Sequence, residues 1–487
     1  MKKPELLDLS QPRIKLLHFT WIAFFITFYI WFNMAPIAST MLQKLDWLTS
    51  DHIKALAIAN VALTIPARIV VGSLIDRFGS RRIFSGLLIV MAFPVFMFAF
   101  GNSFTQLLIA RLLLSSIGAG FVIGIRIVAD WFPPAMVGRA EGFYAGWGNF
   151  GSAFAAMTLP WFALEFFGEY ENGWRYALAI NGVVSFVYGF IFYFSVKDTP
   201  EGKTFAGTKK TQPLIATSES DLVQLILWSF PLVGALGLLA WRLSTVAVGN
   251  ESSEKFLSEN VLYGIWIILF IVFIVHITKT LKINIPLLKK GIPEEDKYSF
   301  NSVAALNTTY FANFGAELAV VSMLPLFFEK TFTISPTLAG IVASSFAFVN
   351  LFARPLGGLL SDRFGNRKLT MLVYMAGIAT GFFSMSFISG IWPLWLAISV
   401  TIMCSVFVQG AEGATFAVIP FIKKNLTGQI SGMAGAYGNV GAVVYLVIYS
   451  MVDDKTFFHI IAAGAAFSLF YCWVFLKEPK DSFKTEF

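Results

Sequence analysis

The chain has 487 residues, of which 56% are hydrophobic and only 13% are charged, and its formal net charge is +7. A soluble protein of this size could not hide so much apolar surface, because a folded surface in water needs polar residues. The composition therefore excludes an ordinary soluble protein and indicates a polytopic protein surrounded by a lipid bilayer.

Apolar blocks of about 20 residues, the length that crosses a bilayer as a helix, recur along the chain. The first block, 16–39, lacks a small-residue cleavage pattern and precedes many others, so it is interpreted as a span rather than a signal peptide. The expected fold class is all-α, with about 14 spans. They are predicted at 16–39, 53–75, 83–101, 105–130, 139–165, 175–196, 222–242, 261–278, 300–328, 336–360, 369–388, 392–421, 426–452 and 456–476.

Lysine and arginine cluster in alternate loops. An amino terminus in the cytoplasm puts about 25 of them in inner loops and tails and roughly 7 outside, whereas outer loops such as 165–174 and 250–260 lean acidic. Both termini are therefore expected in the cytoplasm. The protein itself is expected in the inner (cytoplasmic) membrane. The basic inner face accounts for the net charge without a nucleic-acid patch. The two cysteines imply no disulfide framework and no metal site, and no cofactor is expected.

Two arginines lie inside apolar blocks at matching places. Arg68 and Arg354 each precede an aspartate by eight residues, Asp76 and Asp362, in the shared pattern Gly-x-x-x-Asp-Arg-Phe-Gly-x-Arg-basic. A charge in hydrocarbon costs several kcal/mol, so it is rarely kept without a function. Two such charges, in register with an internal duplication, suggest one anion site between two halves.

A second pair of motifs repeats at nearly the same distance. AGWGNFGS at 145–152 corresponds to GAYGNVGA at 435–442. Two motif pairs in the same order predict an amino-terminal six-helix bundle at 1–196 and a carboxy-terminal one at 300–487. The segment 197–299 joins them and contains two further apolar blocks, which leave both bundles with the same orientation.

The depth of Arg68 follows from its position nine residues before Arg77, which marks the cytoplasmic surface. At about 1.5 Å per residue, Arg68 lies roughly 13 Å deep, and Arg354 repeats the geometry. A guanidinium stays charged and offers a planar donor fork that fits a planar oxyanion. The alternative is a structural arginine paired with a buried carboxylate, for which few candidates exist.

The repeated loops are expected at the cytoplasmic membrane edge. Their aspartates can pair with neighbouring arginines or cap a helix, and such contacts can form and break during gating. No substrate contact is expected there. The residues predicted to act in gating are Asp76, Arg77, Arg81, Asp362, Arg363 and Arg367.

The glycine–asparagine segments allow two interpretations. Each segment has a set of glycines that removes side chains from one stretch of helix, which permits close helix packing or exposes backbone to a small ligand. The sets are Gly146, Gly148 and Gly151 in the first segment, and Gly435, Gly438 and Gly441 in the second. Asn149 and Asn439 would then supply amide donors in a narrow site. The alternative is tight helix packing with a hydrogen-bonding asparagine.

Two carboxylates, Glu317 and Glu412, lie within predicted spans. Such groups are functional hypotheses by default, and either could carry a proton or pair with Arg126 or another polar group. Tyr310, Phe314 and Glu317 follow the i, i+4, i+7 spacing of one helix face. An aromatic residue taken alone is more often a core residue than part of a ligand wall.

Together these motifs resemble those of the nitrate/nitrite porter family of the major facilitator superfamily. AGWGNFG and GAYGNVG are similar to the paired nitrate signatures, and the two loops to the superfamily motif after spans two and eight. The resemblance implies that Arg68 and Arg354 bind the substrate and that Phe121, Tyr310 and Phe314 sandwich the anion. Val440 stands where the first signature has Phe150, and the extra central pair departs from the common 12-span plan, as in members of the nitrate-assimilation side.

The resulting expectation is a secondary transporter, not an enzyme, that takes up nitrate and nitrite by alternating access, with proton symport. Alternatives are nitrate/nitrite exchange, a carrier of another small anion, and a membrane anion sensor without turnover. The expected partners are nitrate, nitrite and protons, and the chain is expected to function as a monomer.

Overall fold

A computed structural model describes residues 8–200, 214–249, 254–423 and 426–478, and helices dominate this part of the chain. The helices of the first half are α1 (Pro12–Trp31), α2 (Ala38–Lys44), α3 (Ser50–Ala62), α4 (Thr64–Phe78), α5 (Ser80–Ala99), α6 (Phe104–Ser115), α7 (Gly120–Trp131), α8 (Pro134–Trp161) and α9 (Gly173–Ser195). Those of the central segment are α10 (Glu219–Leu243) and α11 (Glu259–Lys290). The second half contains α12 (Phe300–Ala312), α13 (Phe314–Phe332), α14 (Pro336–Phe348), α15 (Asn350–Arg363), α16 (Arg367–Met385), α17 (Leu394–Val418), α18 (Thr427–Tyr449) and α19 (Asp454–Phe475).

Thirteen helical segments of the described residues are long and apolar enough to cross a membrane. The remaining predicted span, 139–165, falls on α8 and the π-helical turn Phe162–Phe166 that follows it. This helix is not among the thirteen, and it carries Arg139, Glu141 and several glycines, which lower its hydropathy. The predicted span 261–278 was too short, because α11 continues past its apolar stretch to Lys290.

The chain divides into two compact units. The first comprises Met1–Thr211, Val320–Pro355 and Ser389–Ile402, and the second comprises Gln212–Ala319, Leu356–Ile388 and Met403–Phe487. Within the first unit α1 packs on α8, α5 on α9, and α8 also on α14. Within the second unit α12 packs on α18 and α19, and α16 on α19.

The central segment belongs to the second unit, where α10 packs on α11, α12 and α18. Asn284 of α11 accepts a hydrogen bond from the backbone N–H of Ala216 at 2.7 Å. Asp221 of α10 accepts one from the backbone N–H of Phe300 at 3.0 Å. The buried Tyr298 donates its hydroxyl proton to the carbonyl of Ile215 at 2.8 Å, and burial raises the pKa of this phenol. These bonds fix both ends of the segment to the start of α12.

Two spans are broken at equivalent points. One break, at Leu63, separates α3 from α4, and the other, at Val349, separates α14 from α15. The two breaks are 286 residues apart, as are Arg68 and Arg354. Each arginine therefore lies in the second turn of a helix that begins within the span, an arrangement that transporters use near their substrate sites.

Candidate anion-binding site

Arg68 and Arg354 both lie against one aromatic ring in the first unit. The guanidinium carbon of Arg68 is 5.3 Å from the centroid of the Phe121 ring, and that of Arg354 is 5.7 Å from it. Both arginines are buried, with 7% and 4% of their surface exposed. Cations within about 6 Å of a ring centroid are attracted to its π face. Two like charges beside one ring repel each other, and an anion bound between them would offset that repulsion.

Phe121 is held in place by a stack of aromatic side chains. Its ring contacts Phe24 of α1 at a centroid distance of 5.9 Å, and Phe24 stacks on Tyr144 of α8 at 4.7 Å. The Tyr144 hydroxyl donates to the carbonyl of Gly120 at 2.8 Å, next to Phe121 in sequence. The short 3-10 turn Ser116–Ala119 precedes Phe121 and marks the start of α7. Three helices thus fix the ring that both arginines contact.

The two signature asparagines differ in their hydrogen bonds. Asn149 is 1% exposed, and neither its amide nitrogen nor its amide oxygen has a hydrogen-bond partner in the described residues. Asn439 is also buried, but its Nδ2 donates to the carbonyl of Gly435 at 3.2 Å. A buried amide without hydrogen-bond partners destabilises a folded protein by about 1–3 kcal/mol. A polar ligand that bonds to the Asn149 amide would remove this cost.

The signature glycines bring helices into close contact. A Cβ added at Gly148 would lie 1.9 Å from the ring of Phe24, and one at Gly146 would lie 2.7 Å from the carbonyl oxygen of Asn350. In the second half, a Cβ at Gly438 would lie 2.5 Å from the ring of Phe314. Protein atoms therefore occupy the space over these glycines, which favours helix packing as their role.

Tyr310 and Phe314 form an aromatic pair in the second unit. Their rings stack with centroids 5.1 Å apart, and Tyr310 also meets the edge of Phe416 at 5.1 Å. The helix breaks between them, at Asn313, whose side chain accepts the backbone N–H of Phe314. This pair lies against Gly438, so its position depends on the second signature.

Glu317 and Glu412 are both in the second unit and are 1% and 0% exposed. Arg126, considered above as their partner, instead pairs with Asp76 at 3.3 Å and with Asp130 at 2.9 Å. The two glutamates thus have the burial expected of intramembrane carboxylates.

The first repeated loop is linked to the end of α9 by a residue that the motifs do not contain. Asp198 accepts the backbone N–H of Arg81 at 2.7 Å and also faces the Arg81 guanidinium at 3.9 Å. Gly79 adopts φ +87°, and a Cβ there would lie 2.6 Å from Asp198. Glycine is therefore required at this turn. In the same loop, the guanidinium carbon of Arg77 lies 5.1 Å from the centroid of the Phe78 ring.

The second loop repeats the arrangement with Glu478, which follows α19. Its carboxylate accepts the backbone N–H groups of Arg367 and Lys368 at 3.0 and 2.7 Å. Carboxylates at a helix amino terminus satisfy N–H groups that have no partner within the helix. Arg363 is exposed at the end of α15, and the side chain of Asp362 lies outside the part that the structure describes.

Solved structures with the same architecture are membrane transporters. The chain superposes on a partially occluded, inward-open xylose transporter XylE from E. coli with a TM-score of 0.62 and 14% identity, over 96% of this chain and 98% of that chain. The human organic anion transporter MFSD10 (TETRAN) superposes with a TM-score of 0.55 and 13% identity, over 95% and 100%. The chain thus shares with these proteins an all-α fold of membrane-spanning helices.

Sequence comparison places the chain within this class. The sequence model of the family described as "Major Facilitator Superfamily" matches residues 20–294 and 306–487 of this chain. "Nitrate/nitrite transporter NrtP" of Nostoc punctiforme is 45% identical, over 97% of this chain and 94% of the relative. NrtP of Picosynechococcus sp. is 43% identical over the same shares, and the high affinity nitrate transporter 2.5 of Arabidopsis thaliana is 28% identical, over 91% and 75%. The chain belongs to the nitrate/nitrite porter family of the major facilitator superfamily, a family of transporters and not of enzymes.

Proposed function

We propose that this protein takes up nitrate, and also nitrite, across the cytoplasmic membrane by alternating access. The observation that carries the proposal is the convergence of the Arg68 and Arg354 guanidinium groups on the Phe121 ring, at 5.3 and 5.7 Å. The identity of 43–45% to two nitrate/nitrite transporters supports nitrate and nitrite as the substrates.

Each part of this site has a chemical role. The two arginines, which we call the clamp, present planar donor forks that fit the three coplanar oxygens of nitrate. The Phe121 ring offers a flat apolar wall, and the buried amide of Asn149 offers a further donor. Tyr310, Phe314 and Asn439 are proposed as additional contacts to the anion.

Uptake of an anion into a negative-inside cell needs an energy source, because each charge moves uphill by about 2.3 kcal/mol per 100 mV. Symport of more than one proton per nitrate offsets this electrical cost. Glu317 is the first candidate to carry a proton, since it is buried one turn after Phe314, and Glu412 is the second. Both would bind a proton with the anion and release it inside.

Tracer uptake into proteoliposomes tests the transport activity. We expect unlabelled internal nitrate to accelerate uptake of labelled nitrate, as only a carrier allows; binding without counterflow would indicate a sensor. Competition by nitrite, chlorate and small organic acids defines the substrate. Uptake that requires internal nitrite and does not respond to a pH gradient would indicate nitrate/nitrite exchange instead of proton symport.

The proposed organisation comprises six-helix bundles at 1–196 and 300–487, both termini in the cytoplasm, and two membrane crossings by the segment 197–299. The protein is proposed to act as a monomer. An epitope tag inserted in the loop 250–260 should be reachable from outside intact cells. Labelling only after permeabilisation would contradict this topology.

A further inference from the structure

Arg111 of α6 is the most deeply buried arginine of the first unit among the described residues, and the clamp does not include it. Its side chain is fully buried, with 0% exposure. Its Nη2 donates to Asn33 Oδ1 at 2.7 Å, and its Nη1 donates to Asn60 Oδ1 at 3.3 Å. Its guanidinium carbon lies 3.7 Å from the centroid of the Phe98 ring. Within the described residues, every one of these partners is neutral.

The polar atoms that remain in this cluster are all donors. Asn60 also uses its amide nitrogen, which donates to the carbonyl of Trp31 at 2.6 Å. By contrast, Arg111 Nε and Asn33 Nδ2 are buried without a hydrogen-bond partner among the described residues. A buried cation whose partners among the described residues are neutral, and which lies beside unused N–H donors, has the chemistry of a small-anion site.

The position of Arg111 relates it to the clamp. Three side-chain contacts join α3–α4 to α6–α7 at successive levels. They are Asn60 with Arg111, Thr64 with the carbonyl of Ser115, and Asp76 with Arg126. The partners in these pairs are 50 or 51 residues apart in sequence, so α3–α4 and α6–α7 run parallel in one register. Arg111 therefore lies level with Asn60, eight residues or about 12 Å along the helices from Arg68. On the proposed orientation this is toward the outer face.

The internal duplication argues against a purely structural role. Asn60 corresponds to Phe346 and Asn33 to Ala319 at the spacing of 286 residues that relates Arg68 to Arg354, and Arg111 corresponds to Thr401 at the spacing of 290 residues that relates the two signatures. All three counterparts are buried and uncharged. The second half thus forms the equivalent positions without a charge, so the fold itself does not require this arginine.

We propose that Arg111, Asn33 and Asn60 form a second anion site, which holds a small monovalent anion before it reaches the clamp. This inference rests on the proposed function, because it assumes that nitrate is the transported anion. Arg111 supplies the charge and its Nε donor, Asn33 supplies the Nδ2 donor, and Asn60 orients the guanidinium. An anion entering from the outer face would meet this site first.

Equilibrium dialysis of the purified full-length protein with isotopically labelled nitrate tests this site. We expect Arg111→Gln to bind one nitrate fewer per chain than the unmodified protein at saturation, and Arg111→Lys to retain it with lower affinity. Arg175→Gln is the matched control, because Arg175 is also buried in the first unit but bonds to the carbonyls of Ala99 and Gly101. In uptake assays, Arg111→Gln should raise the KM for nitrate about five- to tenfold and leave the maximal uptake rate unchanged.

Equal nitrate binding by Arg111→Gln and the unmodified protein would overturn the proposal and indicate that water satisfies these donors. If Arg111→Gln does not fold, Asn33→Ala serves instead, since it removes the Nδ2 donor and retains the charge. Unchanged affinity in that variant would also overturn the proposal. The double variant Arg68→Lys/Arg354→Lys separates the two claims. If it binds as much nitrate as the unmodified protein while Arg111→Gln binds less, the clamp fails and the second site stands.

Discussion

The hydroxyl group of Tyr437 donates a hydrogen bond to the main-chain carbonyl of Trp228. This bond joins α10 of the central segment to α18, which contains the second glycine–asparagine signature. The two rings are also in contact, with centroids 5.4 Å apart. At the carboxyl end of α18, Arg242 of α10 donates to the hydroxyl of Ser450 at 2.8 Å. The central segment thus holds this helix at two points.

Replacing Tyr437 with phenylalanine should weaken nitrate transport. The variant leaves the Trp228 carbonyl without its donor, and loss of one buried hydrogen bond costs about 1 kcal/mol. Because Gly438 and Asn439 follow directly, we expect a higher KM for uptake and a lower melting temperature. Tyr471→Phe is the control, since Tyr471 contacts the Trp228 ring at 5.9 Å. An equal effect of both variants would attribute the change to general packing.

Lysine at either clamp position should nearly abolish nitrate uptake while the protein remains folded in the membrane. Lysine keeps the charge of Arg68 or Arg354 but loses the planar donor fork. Initial uptake rates, normalised to the protein in the membrane, measure the effect. Arg175→Lys, which replaces another buried arginine that bonds to the carbonyls of Ala99 and Gly101, should transport at near-normal rates. Normal uptake by Arg68→Lys or Arg354→Lys would remove that arginine from the site.

Alanine at the closely packed glycines should destabilise the fold. A Cβ at Gly151 would lie 2.2 Å from the carbonyl oxygen of Phe25, and one at Gly441 would lie 2.4 Å from that of Phe311. Backbone atoms cannot move aside as side chains can, so each variant should lose about 1–3 kcal/mol or more. Thermal unfolding in detergent measures this loss. Gly432→Ala, in the same helix as Gly441 with no atom within 4 Å, should be neutral or stabilising.

Replacing Glu317 with glutamine should uncouple nitrate transport from protons. The amide keeps the size of the buried side chain but cannot bind and release a proton. We expect the inward current evoked by nitrate in proteoliposomes to disappear, while counterflow of labelled nitrate persists. Glu329→Gln, farther along the same helix, is the control. A normal nitrate-evoked current in Glu317→Gln would exclude Glu317 as the coupling residue and leave Glu412 as the candidate.

Much of the fold follows from local properties of the sequence. Apolar blocks of spanning length predict the helices, since backbone groups in a bilayer must bond within their own segment. The repeated Arg-Phe-Gly loops and the equal spacing of Arg68 and Arg354 identify two related halves. Even the breaks in the two spans fall at equivalent positions, at Leu63 and Val349.

Contacts between helices distant in sequence were decided only by the tertiary structure. The amino-acid pattern did not pair Asp198 with Arg81, Glu478 with Arg367 or Trp228 with Tyr437, because such partners depend on how helix faces pack and rotate. The donors around Arg111 have no signature for the same reason, since Asn33 follows α1 and Asn60 lies on α3. The sequence alone determined which residues enter the membrane and which are duplicated, because hydropathy and spacing are properties of the chain itself. Which of these residues meet was determined by packing, because a polar group buried in apolar surroundings is satisfied only by the groups that the fold brings within hydrogen-bonding distance.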